Sequence, residues 1–212
     1  TFTITRMVQS IDFPDPGPQW TTNRVGLAAT ASTGLPVTFS TSGSGSISDG
    51  TNLSFTGDGL VNVVASQAGT TNHTPTAVTN TIAVTKVTAG VTLTNLSQTY
   101  DGTARVVGYT TVPSGLSVLV TYDGNASAPT AGGSYTVTGK VNDAIYQGTN
   151  VGTLAVAKAN QTLTFPDLPP RLTNAVVALG ASASSGLPVT EFAVVSGPGV
   201  IDGTNLSFSG AG

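Results

Sequence analysis

Residues Gln9–Gly59 occur twice. QSIDFPDP at Gln9–Pro16 returns as QTLTFPDL at Gln161–Leu168, and TGLPVTF at Thr33–Phe39 as SGLPVTEF at Ser185–Phe192. DGTNLSFTGDG at Asp49–Gly59 returns as DGTNLSFSGAG at Asp202–Gly212. The offset is 152 residues as far as Val37 and Val189, and 153 after the extra Glu191. The lead-in also recurs, TFTITRMVQ at Thr1–Gln9 against TLAVAKANQ at Thr153–Gln161. A long internal period of this kind fixes the architecture before any local reading does, because each copy must fold as the same unit.

The units are β units. Only 8 % of the residues are charged, against roughly a quarter in ordinary globular chains, while 39 % are apolar and the mean hydropathy is +0.19. Thr, Ser, Val, Ala and Gly dominate, a mixture of side chains that fit a pleated sheet and of the residue that permits tight turns. Long-chain helix formers such as Glu, Lys and Gln are nearly missing, and the single glutamate is Glu191. A net charge of −3 without a basic patch argues against nucleic acid as a partner. Zero cysteine excludes disulfides and thiolate metal sites. No apolar run reaches the length of a membrane-spanning helix, and TFTITR lacks the layout of a signal peptide.

Taken in order, Thr1–Arg6 alternates like TIAVTK at Thr81–Lys86 and TLAVAK at Thr153–Lys158, so residues 1–8 read as the closing strand of a preceding domain. Residues 9–86 form the first complete unit. Its strands are expected at Ile11–Phe13, around Val25–Ala29, at Val37–Phe39, at Ile47 and Leu53–Phe55 about the Asp49–Gly50 turn, at Leu60–Ala65 and at Thr79–Lys86. About seven short strands with turn signals every 8–12 residues or so are the signature of a sandwich. Residues 87–158 are a different unit, with a hairpin expected at Asp101–Gly102 and a second strand–turn–strand from Ser117 through Asp123–Gly124 to Val141. Residues 159–212 restart the first unit without a counterpart of Leu60–Lys86, which would leave edges and half a core exposed. The inserted Glu191 is expected to be absorbed as a β-bulge. The fold class is therefore all-β, tandem immunoglobulin-like sandwiches in an elongated array.

GLPVTF, the Ser/Gly-rich turn after it, NLSF and VVASQAG at Val63–Gly69 resemble tandem bacterial immunoglobulin-like repeats. TYDGTA at Thr99–Ala104, VPSGLSVLVTYDG at Val112–Gly124, APTAGGSYTVTG at Ala128–Gly139 and NDAIYQG at Asn142–Gly148 resemble the MBG domain. Such domains alternate in very large bacterial surface and adhesin-like proteins. The resemblance implies an extracellular or cell-surface β-domain used as a building block, and it brings no catalytic residues with it.

The chemistry-bearing residues support the same reading. His73, the only histidine, sits in a loop of Thr, Asn and Pro and reads as a solvated loop residue, whereas Ser/His/Asp catalysis needs a base oriented by a third group. Asp49, Asp101, Asp123 and Asp202 each precede a glycine, as turns require, rather than clustering as a hard cation needs; Asp12 and Asp15 are the closest pair. Lys86, Lys140 and Lys158 would need a buried acid to form isopeptide bonds, and only Asp143 lies near. They read instead as solvated strand ends. Tyr100, Tyr109, Tyr122, Tyr135 and Tyr146 fit strand packing better than sugar stacking. Trp20, matched by Leu172 in the second copy, fits packing between domains. The sequons at Asn52, Asn72, Asn95, Asn125, Asn160 and Asn205 are what a Ser/Thr-rich chain produces by chance. No catalytic, cofactor or metal site is assigned, and no cofactor is expected.

The expected role is a non-enzymatic structural repeat: a spacer, stalk or fibre-building block whose partners are neighbouring repeats. The alternative is an adhesive module binding glycan or a host surface. Two accounts fit the ends. The chain is a window on a continuous repetitive polymer, or Thr1–Arg6 of one subunit fills the open unit of the next by β-strand addition. One strand cannot fill a gap that needs two, which favours the window.

Overall fold

The computed structural model describes residues 3–211, and every regular element among them is a β-strand. Contacts divide the chain into two compact units, Thr1–Ala157 and Lys158–Gly212.

The first repeat contributes nine strands: β1 (Ile11–Asp12), β2 (Gln19–Trp20), β3 (Arg24–Gly26), β4 (Thr30–Ala31), β5 (Thr38–Ser42), β6 (Gly45–Ser48), β7 (Asn52–Phe55), β8 (Gly59–Gln67) and β9 (Thr76–Thr85). One sheet runs β2-β9-β8-β5; facing it are β3-β7-β6 and the β1-β4 pair. This is an immunoglobulin-like sandwich, with the strand expected around Val25–Ala29 broken into β3 and β4. Strands β8 and β9 carry the pattern that closes it. Val61, Val63 and Ala65 alternate on β8, Ile82 and Val84 on β9, and all five are buried against Ile11, Phe13, Leu27, Ala31, Leu53 and Phe55 of the opposite layer. Their outward neighbours are mixed: Asn62, Ser66, Thr81 and Thr85 are polar, Leu60, Val64 and Ala83 are not, and Thr81 Oγ1 donates to Asn62 Oδ1 at 2.7 Å. Asp49 and Gly50 both adopt positive φ (50° and 72°), the backbone that a tight β6–β7 turn demands. Gln9 lies buried, donating to Gln67 Oε1 at 2.6 Å and to the carbonyl of Thr74 at 2.8 Å, so the repeat begins tied to its far hairpin.

The second sandwich follows after one residue, Lys86. Its strands are β10 (Val87–Thr88), β11 (Gly90–Thr94), β12 (Ser97–Thr99), β13 (Gly108–Val112), β14 (Val118–Tyr122), β15 (Gly133–Val141), β16 (Tyr146–Gln147) and β17 (Thr149–Ala157). The main sheet is β12-β17-β15-β14, covered by β11-β13, with β10-β16 beside them. Val137, Leu154 and Val156 sit at its centre. Gly139 takes an inward position on β15, where a Cβ would come within 3.0 Å of Leu93 Cδ2 and 3.2 Å of Val118 Cγ1. The expected strand–turn–strand from Ser117 to Val141 is the β14–β15 pair. The hairpin expected at Asp101–Gly102 is not formed. Strand β12 crosses to pair in parallel with β17, while β13 pairs with β11. Asp101 instead accepts from the amide and hydroxyl of Thr103 at 2.9 and 2.7 Å and pairs with Arg105, a local turn that ends one strand rather than joining two.

The second unit contains β18 (Leu163–Thr164), β19 (Val177–Ala178), β20 (Ser182–Ala183), β21 (Gly199–Asp202) and β22 (Asn205–Phe208). It reproduces one layer of the first repeat residue by residue. Leu163 pairs with Ala183 as Ile11 does with Ala31, and Val177 with Leu206 as Val25 does with Leu53. One register differs. Ile47 opposes Leu53 in the first repeat, whereas Ile201, one position nearer its turn, opposes Leu206. The loop shortens by one residue, and an isoleucine still faces the leucine.

Two further expectations are corrected. No bulge forms at Glu191: residues 189–195 are irregular, because the strand they correspond to, β5, takes its ladder from β8, and no counterpart of β8 exists among the described residues of this unit. Nor is there a strand at Thr3–Arg6, the described part of Thr1–Arg6; Thr1 and Phe2 lie outside the described residues. Ile4 is exposed, and the first ordered contact is Met7, whose amide donates to the Asn72 carbonyl at 2.8 Å. Alternation without a partner strand gives no ladder.

Candidate functional site

Two places in the molecule stand out from the regular packing of the sandwiches. The first joins the two sandwiches of the first unit. The ends of β2 and β9 meet the loop Asp143–Ile145. Thr21, buried, donates its hydroxyl to the Ile145 carbonyl at 2.6 Å, and the Val87 amide donates to the same carbonyl at 3.1 Å. Lys86 Nζ donates to the Asp143 main-chain carbonyl at 2.7 Å and lies 3.8 Å from Asp58 Oδ1. The Asp143 carboxylate accepts from the amides of Ile145 and Tyr146 at 2.7 and 2.9 Å. Those two bonds, aided by the nearby Lys86 charge, hold its pKa below the usual aspartate value despite some opposing desolvation.

Thr21 and Ile145 were not singled out by sequence reasoning, which looked to Trp20 for packing between domains. Trp20 remains 53 % exposed, and the next residue makes the contact. A small hydroxyl beside a tryptophan carries no sequence signal; its role comes from the loop that reaches it. Lys86 is likewise not a solvated strand end but a crosslink in this junction.

The second place is a groove of about 330 Å³ in the second unit, lined by Phe165, Leu179, Phe192, Val194, Leu206 and Phe208 among others. Phe165 and Phe192 keep the aromatic contact of their counterparts: ring centroids are 5.8 Å apart, against 5.4 Å for Phe13 and Phe39. Phe165 is nevertheless 51 % exposed where Phe13 is 7 %.

The remaining candidates lie apart. His73 sits in a turn organised by Thr70, whose Oγ1 is 3.2 Å from its Nδ1 while accepting two backbone amides. Asp15 accepts from the Gly17 amide. Among the described residues no group of three His, Cys, Asp or Glu is placed to hold a metal ion. No helix among them is long and apolar enough to cross a membrane. Tyr122 is buried and accepts from the Val107 amide at 2.9 Å, while Tyr135 and Tyr146 pack against the core. Tyr100 and Tyr109 remain partly exposed, Tyr109 beside a shallow hydroxyl-lined cleft with Thr110, Thr111, Ser114 and Ser117.

The strand pairing defines an all-β protein built of immunoglobulin-like sandwiches. Within it, residues 89–160 match the family model described as the MBG domain. No curated protein sequence matches the chain significantly. Among solved structures it is similar to Drosophila N-cadherin EC1-4 (14 % identity, TM-score 0.32, 73 % of this chain and 50 % of that one). It is also similar to Sidekick-1 immunoglobulin domains 1-5 (12 %, 0.34, 96 % and 53 %). A third is Down Syndrome Cell Adhesion Molecule isoform 1.30.30, N-terminal eight Ig domains (13 %, 0.34, 90 % and 33 %). The chain thus spans between a third and about half of the length of these structures.

Proposed function

We propose that this chain is a force-carrying structural segment of an extracellular or cell-surface protein, a spacer assembled from sandwich units whose partners are neighbouring repeats. One observation carries the reading: each sandwich of the first unit pairs an early strand in parallel with its last strand. In the first, Gln19 and Trp20 of β2 lie beside Val84 and Thr85 of β9, extended by the Thr21 amide donating to the Thr85 carbonyl at 2.9 Å. In the second, Ser97–Thr99 of β12 lie beside Ala155–Ala157 of β17, extended by Leu96 and Tyr100. Tension applied along the chain pulls two parallel neighbours in opposite directions along their length. The ladder is then loaded in shear, and its bonds must fail together rather than one after another. The one-residue link and the hydrogen bonds of Thr21 to Ile145 and of Lys86 to Asp143 transmit the load between sandwiches. Domains tied this way suit a tether under stress, and the placement at a surface follows the same use.

Pulling single molecules from their two ends tests this. Thr21→Pro, which removes the amide donor to Thr85, should lower the rupture force of the first sandwich and leave that of the second unchanged. Thr21→Val, which keeps the amide, should retain the force. Equal forces for all three proteins would overturn the reading, since forced unfolding is governed by the barrier that these bonds set.

A further inference from the structure

The main sheet of the second sandwich ends on β14, and that edge is open over one short window. The ladder with β15 bonds the odd-numbered residues. At one end the Asn142 amide donates to the Ser117 carbonyl at 2.9 Å, and at the other the Asp123 amide donates to the Thr136 carbonyl at 2.8 Å. Antiparallel pairing alternates, so the main-chain groups of the even-numbered residues face away from β15. At both ends of the strand such groups are already taken. Tyr122 exchanges bonds with Asn125 at 2.7 and 2.8 Å, and the Leu116 amide donates to Thr111 Oγ1 at 3.2 Å. Val118 and Val120 remain, their amides and carbonyls without a partner among the described residues. Sheet edges are ordinarily guarded by charge, proline or a covering segment. The other ends of the two four-stranded sheets are guarded or offer nothing apolar to bury. Strand β2 follows Pro16 and Pro18, Arg105 folds onto the Thr99 carbonyl of β12 at 3.0 Å, and β5 exposes only Thr38, Ser40 and Ser42. Strand β14, VLVTY, has neither charge nor proline, and its outward Leu119 is 57 % exposed.

We infer that β14 pairs with β14 of a second copy of this chain, antiparallel about a two-fold axis at Leu119. Val118 of each copy then stands opposite Val120 of the other, so every open amide and carbonyl gains a partner. Leu119 meets Leu119 on the outward face, and each covers the other. The free groups select this register alone. A slide of one residue turns the bonding groups away, and a slide of two sets a valine against Leu116 or Tyr122, whose groups are taken. Charge does not oppose the pairing. Lys140 lies beside Leu119 on β15, but across the seam the two lysines are three strand spacings apart, about 14 Å. That exceeds the screening length of about 8 Å in physiological salt. Because the two-fold closes both edges, association stops at two chains and joins them side by side. The assignment rests on the β14 edge and not on the force-carrying role.

The test uses the whole chain. Sedimentation should show a reversible monomer–dimer equilibrium at concentrations up to about 1 mM. Amide exchange should slow on dimerisation at Val118 and Val120, whereas Leu119 and Thr121 are protected in the monomer by β15. Leu119→Lys changes an exposed side chain and leaves the core intact. It should weaken the dimer at least about tenfold, because it sets like charges directly opposite one another. A chain without native cysteine also permits a positive test. Leu119→Cys should form a disulfide-linked dimer at least about tenfold faster than Val151→Cys, since opposed residues of this kind lie about 4.5 Å apart, within disulfide reach. Val151 is the fitting control, 61 % exposed on the same sheet. The inference is overturned by a monomer throughout that range, by a dimer that Leu119→Lys leaves unchanged, by new protection elsewhere than Val118 and Val120, or by equal crosslinking of the two cysteine variants.

Discussion

Leu53 and Leu206 occupy matched places in identical NLSF strands, but Leu53 is fully buried and Leu206 is covered on one side only. Truncation should therefore cost different amounts. Leu53→Ala leaves a cavity that β8 and β9 cannot close, a loss of about 2–5 kcal/mol. Leu206→Ala removes a side chain already partly in water and should cost about 1 kcal/mol. Native-state amide exchange read at Val25 and at Val177, their respective strand partners, measures each; equal losses would contradict the burial difference. The same comparison shows what single residues disclose. Identity of sequence announced both leucines as core positions, yet exposure is decided by strands elsewhere in the chain. Ile201 is subtler: it stands one residue closer to its turn than Ile47, and only pairing shows that the register shifted to keep it opposite leucine.

At the scale of elements, alternation and Asp–Gly turns made most strands of the first repeat legible, because each strand buries one face and its periodicity survives in the sequence. Pairing was less legible. Asp101–Gly102 has the chemistry of a hairpin turn, but β12 finds its ladder on β17, more than fifty residues on, and local chemistry cannot report so distant a partner. The two-residue strand β2 was hidden in a proline-rich stretch for the same reason. The junction loop depends on a carboxylate, and that gives it a pH dependence. The folded pKa of Asp143 is depressed, so its contribution is fully present above the ordinary unfolded value of about 3.9 and is lost as pH falls through the lower folded value. Following the Ile145 and Tyr146 amide resonances down in pH should give a midpoint below that of an unfolded aspartate, and Asp143→Asn should abolish the step. A midpoint at or above the unfolded value would show that the two amide bonds do not hold the carboxylate.

Over the whole molecule, composition and alternation announced an all-β chain and the repeat announced that part of it recurs, although the copy of β5 stays irregular where its ladder partner is missing among the described residues. What these could not announce was the direction in which the units resist load, because that lies in strand polarity at the ends of each sheet and not in any motif. Parallel pairing of early and last strands is the common geometry of both sandwiches in the first unit, and the reading of the chain as a tether depends on it. The absence of native cysteine makes the decisive measurement practical, since introduced thiols fix the points of attachment. Leu60 and Ala83 are opposite one another at one end of the antiparallel β8–β9 ladder. Force applied through Leu60→Cys and Ala83→Cys, kept reduced and attached separately, opens that ladder bond by bond, whereas force applied at the chain ends shears β2 against β9. The account predicts a clearly higher rupture force for the first sandwich in the end-to-end geometry; equal forces in the two geometries, or a higher one in the unzipping direction, would contradict it.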